Sequence, residues 1–253
     1  MVSFYMYGIM RMPRHNTMKQ NEVAFMSDQS PLEREHIYWQ VRRHYRGEYE
    51  QLVGRITAAG VIHDLEEKFS TTDLLLGELG IRTEGVDMSL YSGLARYAIE
   101  GDCSYFLTPT GTSVSLLDQC TRVIGIQELF DAFEEFTSGP GASVAAMMML
   151  NMLSPRIHID VARLGFPDGD WISLIELALL AGLKEETVRN YAVPGSKYAI
   201  ATHRSAAGIV SVKPEDAHSW LVGRKKYRET VLPTDPEERD ALLRHVKSFD
   251  LSL

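Results

Sequence analysis

Two short helical segments separated by one glycine are the feature that most restricts how this chain can fold. Ser173 and Glu176 have the spacing of a capping box, in which two side chains satisfy exposed backbone amides, so a helix is predicted from Leu174. Gly182 supplies the conformation that ends a helix, and a second helix is predicted over 184–192. The segment therefore predicts two helices joined by a tight turn.

The apolar residues of this segment agree with close packing of the two helices. A turn this short requires a small residue on the inner face of the first helix and larger apolar residues on the inner face of the second. The inner positions are Ala178, Gly182, Leu183, Val188 and Tyr191. The residues then expected to face outward are Lys184, Glu185, Glu186, Arg189 and Asn190.

The outward, N-terminal part of such a second helix is what enters a major groove of DNA. Arg189 and Asn190 are the best candidates for reading bases. A guanidinium pairs with the acceptors of guanine, and a carboxamide pairs with adenine.

The sequence AGLKEETVRNY, residues 181–191, resembles the recognition motif of MerR-type and excisionase-like winged helix-turn-helix proteins. The resemblance extends over residues 171–228 and includes PEDAHSWL at 214–221, which is similar to the helix that follows the family's wing. It implies a β-hairpin wing formed by 198–204 and 208–212. One residue departs from the family: Lys184 stands at the N-cap, usually Ser or Thr, and cannot accept amide hydrogen bonds.

The resemblance also implies how the segment would hold DNA. Lys197, His203 and Arg204 would contact phosphates from the hairpin, and the basic run at 224–228 would grip the flanking backbone. The expected DNA-binding set is Lys184, Glu186, Thr187, Arg189, Asn190, Lys197, His203, Arg204, Arg224, Lys225, Lys226 and Arg228.

The distribution of charge supports this interpretation independently. Residues 171–228 contain nine Lys and Arg against five Asp and Glu, whereas the whole chain has a net charge of -8. The acidic balance excludes a uniformly basic nucleic-acid-binding surface, so DNA binding is expected at this end only.

The expected fold class is mainly α, with an N-terminal helical domain and a C-terminal winged helix-turn-helix that carries a small β-hairpin wing. We expect a flexible segment at 1–29, a helical domain for dimerisation or sensing at 30–155, the DNA-binding domain at 156–228 and a helical tail at 229–253. Met18 and Met26 are alternative starts. Pro155 is expected to end the helical domain, and alternating apolar residues at 157–161 predict a strand.

Several helices are predicted outside the DNA-binding segment. They lie at 31–59 with a break near Gly47 or Gly54, at 70–80, at 87–100 and at 115–136, with an amphipathic helix in the tail that serves for packing or dimerisation. Methionines at 147–152 are interpreted as core, and so are Tyr91, Tyr97, Tyr105 and Phe106 in preference to a ligand pocket. Arg42, Arg43 and Arg46 are interpreted as a solvated helix surface in preference to a phosphate-binding face.

No catalytic residue, metal site or cofactor is expected. The eight histidines are scattered, and the chain lacks HExxH, Cys-x-x-Cys, phosphate-loop and nucleophile-elbow patterns. Cys103 and Cys120 have no partners at metal-finger spacing, which fits a reducing cytoplasm. No apolar run approaches the roughly 20 residues of a membrane span, so no membrane partner is expected.

The sequence thus predicts a sequence-specific, double-stranded DNA-binding protein that regulates transcription as a cytoplasmic homodimer. The alternative is a helical interaction adaptor whose helix-turn-helix does not bind DNA. Glu185 and Glu186 weaken attraction to phosphate, but they also favour the helix dipole. The residues identify no small-molecule effector.

Overall fold

The computed structural model of the protein describes residues 45–78, 88–107, 143–166, 171–204, 208 and 210–250. The predicted flexible segment at 1–29, the helix at 115–136 and the first part of the helix at 31–59 lie outside these residues. The described part is mainly α-helical and contains one small antiparallel sheet, which confirms the expected fold class at that level.

The elements follow one another in this order. The helices are α1 (Arg46–Leu52), α2 (Ala58–Glu78), α3 (Met88–Ala95) continued by a π-helix (Arg96–Glu100), α4 (Ser104–Leu107), α5 (Val144–Arg163), α6 (Leu174–Ala181), α7 (Glu185–Tyr191), α8 (Pro214–Leu221) and α9 (Pro236–Asp250). The strands are β1 (Ile172–Ser173), β2 (His203–Arg204) and β3 (Val210–Val212).

Helix α5 is the centre of the molecule. It packs against α1, α2, α3 and the π-helix on the N-terminal side of the chain, and against α6, α8 and α9 on the C-terminal side. Most of its residues are buried, including the methionines Met148, Met149 and Met152, which confirms their interpretation as core. Two elements of the C-terminal region, α6 and α8, therefore pack on one buried helix.

Two predictions about α5 are wrong. Pro155 lies inside the helix and does not end it, and residues 157–161 are helical and do not form a strand. An alternating strand pattern requires its polar positions to face water, whereas Arg156, His158 and Asp160 are all buried. The domain boundary predicted between 155 and 156 consequently falls in the middle of a continuous helix.

The earlier helices differ from the prediction mainly in where they begin. The break expected near Gly47 or Gly54 occurs at Gly54, where φ is +69° and α1 has ended. The start predicted at residue 70 is wrong, because α2 begins at Ala58. Thr71 does not cap a helix; its hydroxyl donates to the carbonyl of Glu67, 2.9 Å away, as threonines inside helices do.

The sheet connects the start of α6 with the two strands that precede α8. β3 pairs antiparallel with β1 on one side and with β2 on the other, with Ile172 opposite Val212 and His203 opposite Ser211. β2 and β3 form the predicted hairpin, with strands shorter than 198–204 and 208–212. β1 leads directly into α6, so the hairpin is attached to the start of the helix pair.

The aromatic residues and the C-terminal helix complete the core. Tyr91, Tyr97 and Phe106 are buried, which confirms their interpretation as core residues. Leu242 and Val246 of α9 are also buried, and α9 packs against α4 and α5. The predicted amphipathic tail helix thus uses its apolar face for packing within the chain.

Candidate nucleic-acid interface

The capping box of α6 and the glycine that ends it agree with the sequence prediction. The Ser173 hydroxyl accepts a hydrogen bond from the Glu176 amide at 3.2 Å, and the Glu176 carboxylate accepts one from the Ser173 amide at 2.8 Å, which completes the capping box. Gly182 ends α6 in the left-handed conformation, with φ +62°. All residues of α6 are buried, so this helix supports α7 and does not itself face solvent.

Helix α7 presents one apolar and one polar face. Val188 is fully buried and Tyr191 half-buried, whereas Arg189 and Asn190 are exposed. Lys184 and Glu186 are exposed and Thr187 is half-buried at the start of the helix. The N-cap is Lys184 and makes no side-chain capping bond, as the sequence predicted.

One residue of α7 is placed differently from the prediction. Glu185, expected to face outward, is only 8% exposed, and its carboxylate pairs with the Arg189 Nε at 2.5 Å. It lies in a cavity of about 240 Å³ whose other wall is formed by residues of α1, including Arg46 and Tyr49. The prediction considered α7 alone, whereas residues of α1, distant in sequence, border the same cavity as Glu185.

Three aromatic rings surround Arg224 and hold it where α7, α8 and residue 198 meet. We call Tyr191, Tyr198 and Trp220 the aromatic cluster. The guanidinium carbon of Arg224 lies 4.0 Å from the Trp220 ring centre and 5.3–5.4 Å from those of Tyr198 and Tyr191. Trp220 Nε1 also donates to the Tyr198 carbonyl at 3.1 Å. Such cation–π contacts fix an otherwise flexible side chain.

A second aromatic ring, Trp171, contacts two side chains in or next to the hairpin, and the residues predicted to contact phosphates from the hairpin are exposed. Lys197, His203 and Arg204 are exposed, and Arg204 Nη1 donates to the Gly208 carbonyl at 3.0 Å. The Trp171 ring lies 4.8 Å from the His203 ring and 5.6 Å from the Lys213 ammonium. Sequence reasoning named Tyr191 only as a packing residue and Trp220 only within the 214–221 motif, and it gave Trp171 and Tyr198 no role of their own. No local pattern pairs these rings with Arg224 or His203.

The basic segment 224–228 contains one buried aromatic residue and three exposed cations. Lys225, Lys226 and Arg228 are exposed, whereas Tyr227 is buried beneath the guanidinium of Arg156. Burial raises the pKa of Tyr227 to about 12, so the phenol stays neutral. Arg156 Nη1 donates to the Arg228 carbonyl at 2.8 Å, which fixes the end of the segment on α5.

A buried polar network centred on Asp160 lies next to the contact between Arg156 and the Arg228 carbonyl. Asp160 accepts hydrogen bonds from the Tyr97 hydroxyl at 3.0 Å, from the Thr230 hydroxyl at 2.6 Å and from Arg163 at 3.0 Å. Burial, with the nearby Asp160 carboxylate, raises the pKa of Tyr97 well above its ordinary value. The network therefore joins the π-helix and the segment after α8 to the same turn of α5.

Within the described ranges no group of three or more His, Cys, Asp or Glu side chains is arranged to hold a metal ion. Nor does any helix there have the length and apolar character to cross a bilayer.

No protein-family model, no curated protein and no solved structure matches the chain. The resemblance to winged helix-turn-helix proteins therefore stays a hypothesis that depends on residues 171–228 themselves.

Proposed function

We propose that residues 171–228 form a winged helix-turn-helix that binds double-stranded DNA, and that the protein regulates transcription without catalysing a reaction. In this proposal α7 lies in the major groove and the hairpin is the wing. The observation that carries it is the orientation of α7. Val188 and Tyr191 pack inward while Arg189 and Asn190, the two side chains suited to reading bases, are exposed.

The ion pair of Arg189 with Glu185 is compatible with this role. The pair uses the Nε of Arg189 and leaves the side chain 48% exposed. A guanidinium carries five N–H donors, so one bond to Glu185 leaves the others for guanine. The nearly buried Glu185 would position Arg189 rather than face the phosphates.

Exposed cations on both sides of α7 favour a phosphate-rich partner. Lys197 and Arg204 lie on the hairpin side, and Lys225 lies in the basic segment. Among the described residues none of these three takes part in an ion pair, so each is available to a phosphate. A single copy of such a unit buries little surface, and we propose that the protein binds as a homodimer.

A titration of labelled duplex DNA at two salt concentrations tests the proposal. Binding should weaken steeply as salt rises, because each phosphate contact releases counterions. Replacing one phosphate-contacting cation, as in Lys197→Gln, should reduce the salt slope by about one. Arg189→Ala should weaken binding to a preferred sequence by about 1–3 kcal/mol.

Arg239→Gln is the matched control, since Arg239 is an exposed arginine on α9, outside the proposed interface. It should bind as the unaltered chain does. If no DNA is bound at low salt, or if Arg189→Ala and Lys197→Gln both behave like the control, the chain is instead an interaction adaptor.

A further inference from the structure

A second cavity, of about 260 Å³, lies between the helix pair and the N-terminal helices. We call it the turn cavity, because Gly54 of the α1–α2 turn and Gly182 of the α6–α7 turn both border it. The π-helix, α5, α6 and the basic segment also contribute to its wall. It is separate from the exposed face of α7.

The inner wall of the turn cavity is apolar. It is formed by Ile99, Met152, Leu179 and Leu180, each of which keeps between 2% and 8% of its surface exposed. Half-buried Ile56 adds to this wall. Pockets for drug-sized ligands are somewhat larger, roughly 300–1,000 Å³, so the space fits a smaller molecule with an apolar body.

The rim of the turn cavity is positive. Arg55, Lys226 and Arg228 border it together with one carboxylate, Glu100, and all four residues are exposed. Among the described residues, the side chains of these four make no ion pair. Three cations around an apolar space would be neutralised best by an anion whose tail fills that space.

The cavity at the entrance of α7 differs in this respect. It is bordered by two cations, Arg46 and Lys184, and by the carboxylates of Glu50, Glu185 and Glu186. Arg46 pairs with Glu50 at 3.0 Å, and Glu185 pairs with Arg189. Carboxylates outnumber cations around that cavity, whereas three cations and one carboxylate border the turn cavity, so the turn cavity is the one suited to an anion.

We propose that the turn cavity binds a small amphipathic anion, with its carboxylate held by Arg55, Lys226 and Arg228 and its hydrocarbon tail against Leu179 and Met152. This site does not depend on DNA binding. The ligand would touch both the α6–α7 turn and the α1–α2 turn, and would stabilise their contact.

Calorimetric titration of the full chain, without DNA, tests the site with two probes that share one tail. Sodium octanoate should bind with saturation at one site per chain. Octanol, which has the same tail without the charge, should bind at least about tenfold more weakly, because its hydroxyl cannot form charge-assisted hydrogen bonds with the cations of the rim.

Neighbouring lysines provide a matched pair of variants. Lys226→Gln should weaken octanoate binding about tenfold, and Arg55→Gln, which lies outside the proposed DNA-binding set, should do the same. Lys225→Gln removes an exposed lysine that does not border the cavity and should leave octanoate affinity unchanged. The proposal is overturned if octanoate shows no saturable binding, if octanol binds equally well, or if the Lys226 and Lys225 variants behave alike.

Discussion

Gly54 and Gly182 are the residues at which the N-terminal helices touch the helix pair. Both have left-handed backbones, with φ of +69° and +62°. A Cβ added to Gly54 would lie 2.6 Å from the Gly182 carbonyl oxygen, and one added to Gly182 would lie 2.9 Å from the Lys226 Cβ. Only glycine permits both this conformation and this approach. The sequence indicated the role of Gly182 in ending α6, but its contact with Gly54 is tertiary and leaves no local signal.

Gly182→Ala should therefore lower the free energy of unfolding by at least about 1–2 kcal/mol, the cost of a left-handed conformation for a residue with a Cβ. Gly47→Ala is the control, because Gly47 lies inside α1 with open space around it, and should be neutral or stabilise by up to about 1 kcal/mol. Urea denaturation measures both variants. If the Gly182→Ala and Gly47→Ala variants had the same free energy of unfolding, the contact between Gly54 and Gly182 would not be tight.

At the scale of single elements, the capping-box and first-turn proline patterns predicted two helix starts correctly, whereas the start at residue 70 and the end at Pro155 were wrong. The capping box of α6 and the Pro214 start of α8 were confirmed because a cap depends on residues a few positions apart. Helix α5 was divided wrongly because proline normally interrupts helices. Burial on both sides of Pro155, together with the partners of Asp160, stabilises a continuous helix, and neither factor is visible in a local window.

The stability gained when helix α9 packs against the helices described above should depend on pH. His245 packs against Phe106, with ring centres 5.7 Å apart, and burial, followed by the charge of Arg244, lowers the pKa of its imidazole from 6.5. The unfolded chain therefore binds a proton more readily than the folded one, so this contribution to stability is complete above the unfolded pKa and decreases as pH falls below about 6.5.

Thermal melting at about pH 7.5 and about pH 5.5 measures this effect. His245→Gln, which cannot be protonated, should lose less stability on acidification than the unaltered chain. His63→Gln replaces an exposed histidine on α2 and should keep the original pH dependence. An unchanged pH dependence in His245→Gln would contradict the assignment to His245.

At the scale of the whole molecule, the sequence predicted a mainly α-helical chain with a basic C-terminal region, and the described residues agree with the helical class. It did not predict that α5 contacts elements from both the N-terminal and the C-terminal parts of the chain, nor that residues of α1 border the cavity in which Glu185 lies. Both follow from packing between distant segments. The candidate DNA-binding residues could be named from their charge and spacing in the sequence. The aromatic rings that contact some of them could be identified only from the three-dimensional arrangement.

Selection of bound fragments from a random pool of duplex DNA tests the central claim, that α7 reads bases, most directly. The unaltered chain should enrich one sequence with two-fold-related halves, as expected for a homodimer. Asn190→Ala should enrich a related sequence that has lost its preference at one adenine in each half. A pool that stays random after repeated rounds with the unaltered chain, or the same enriched sequence from both proteins, would contradict the claim.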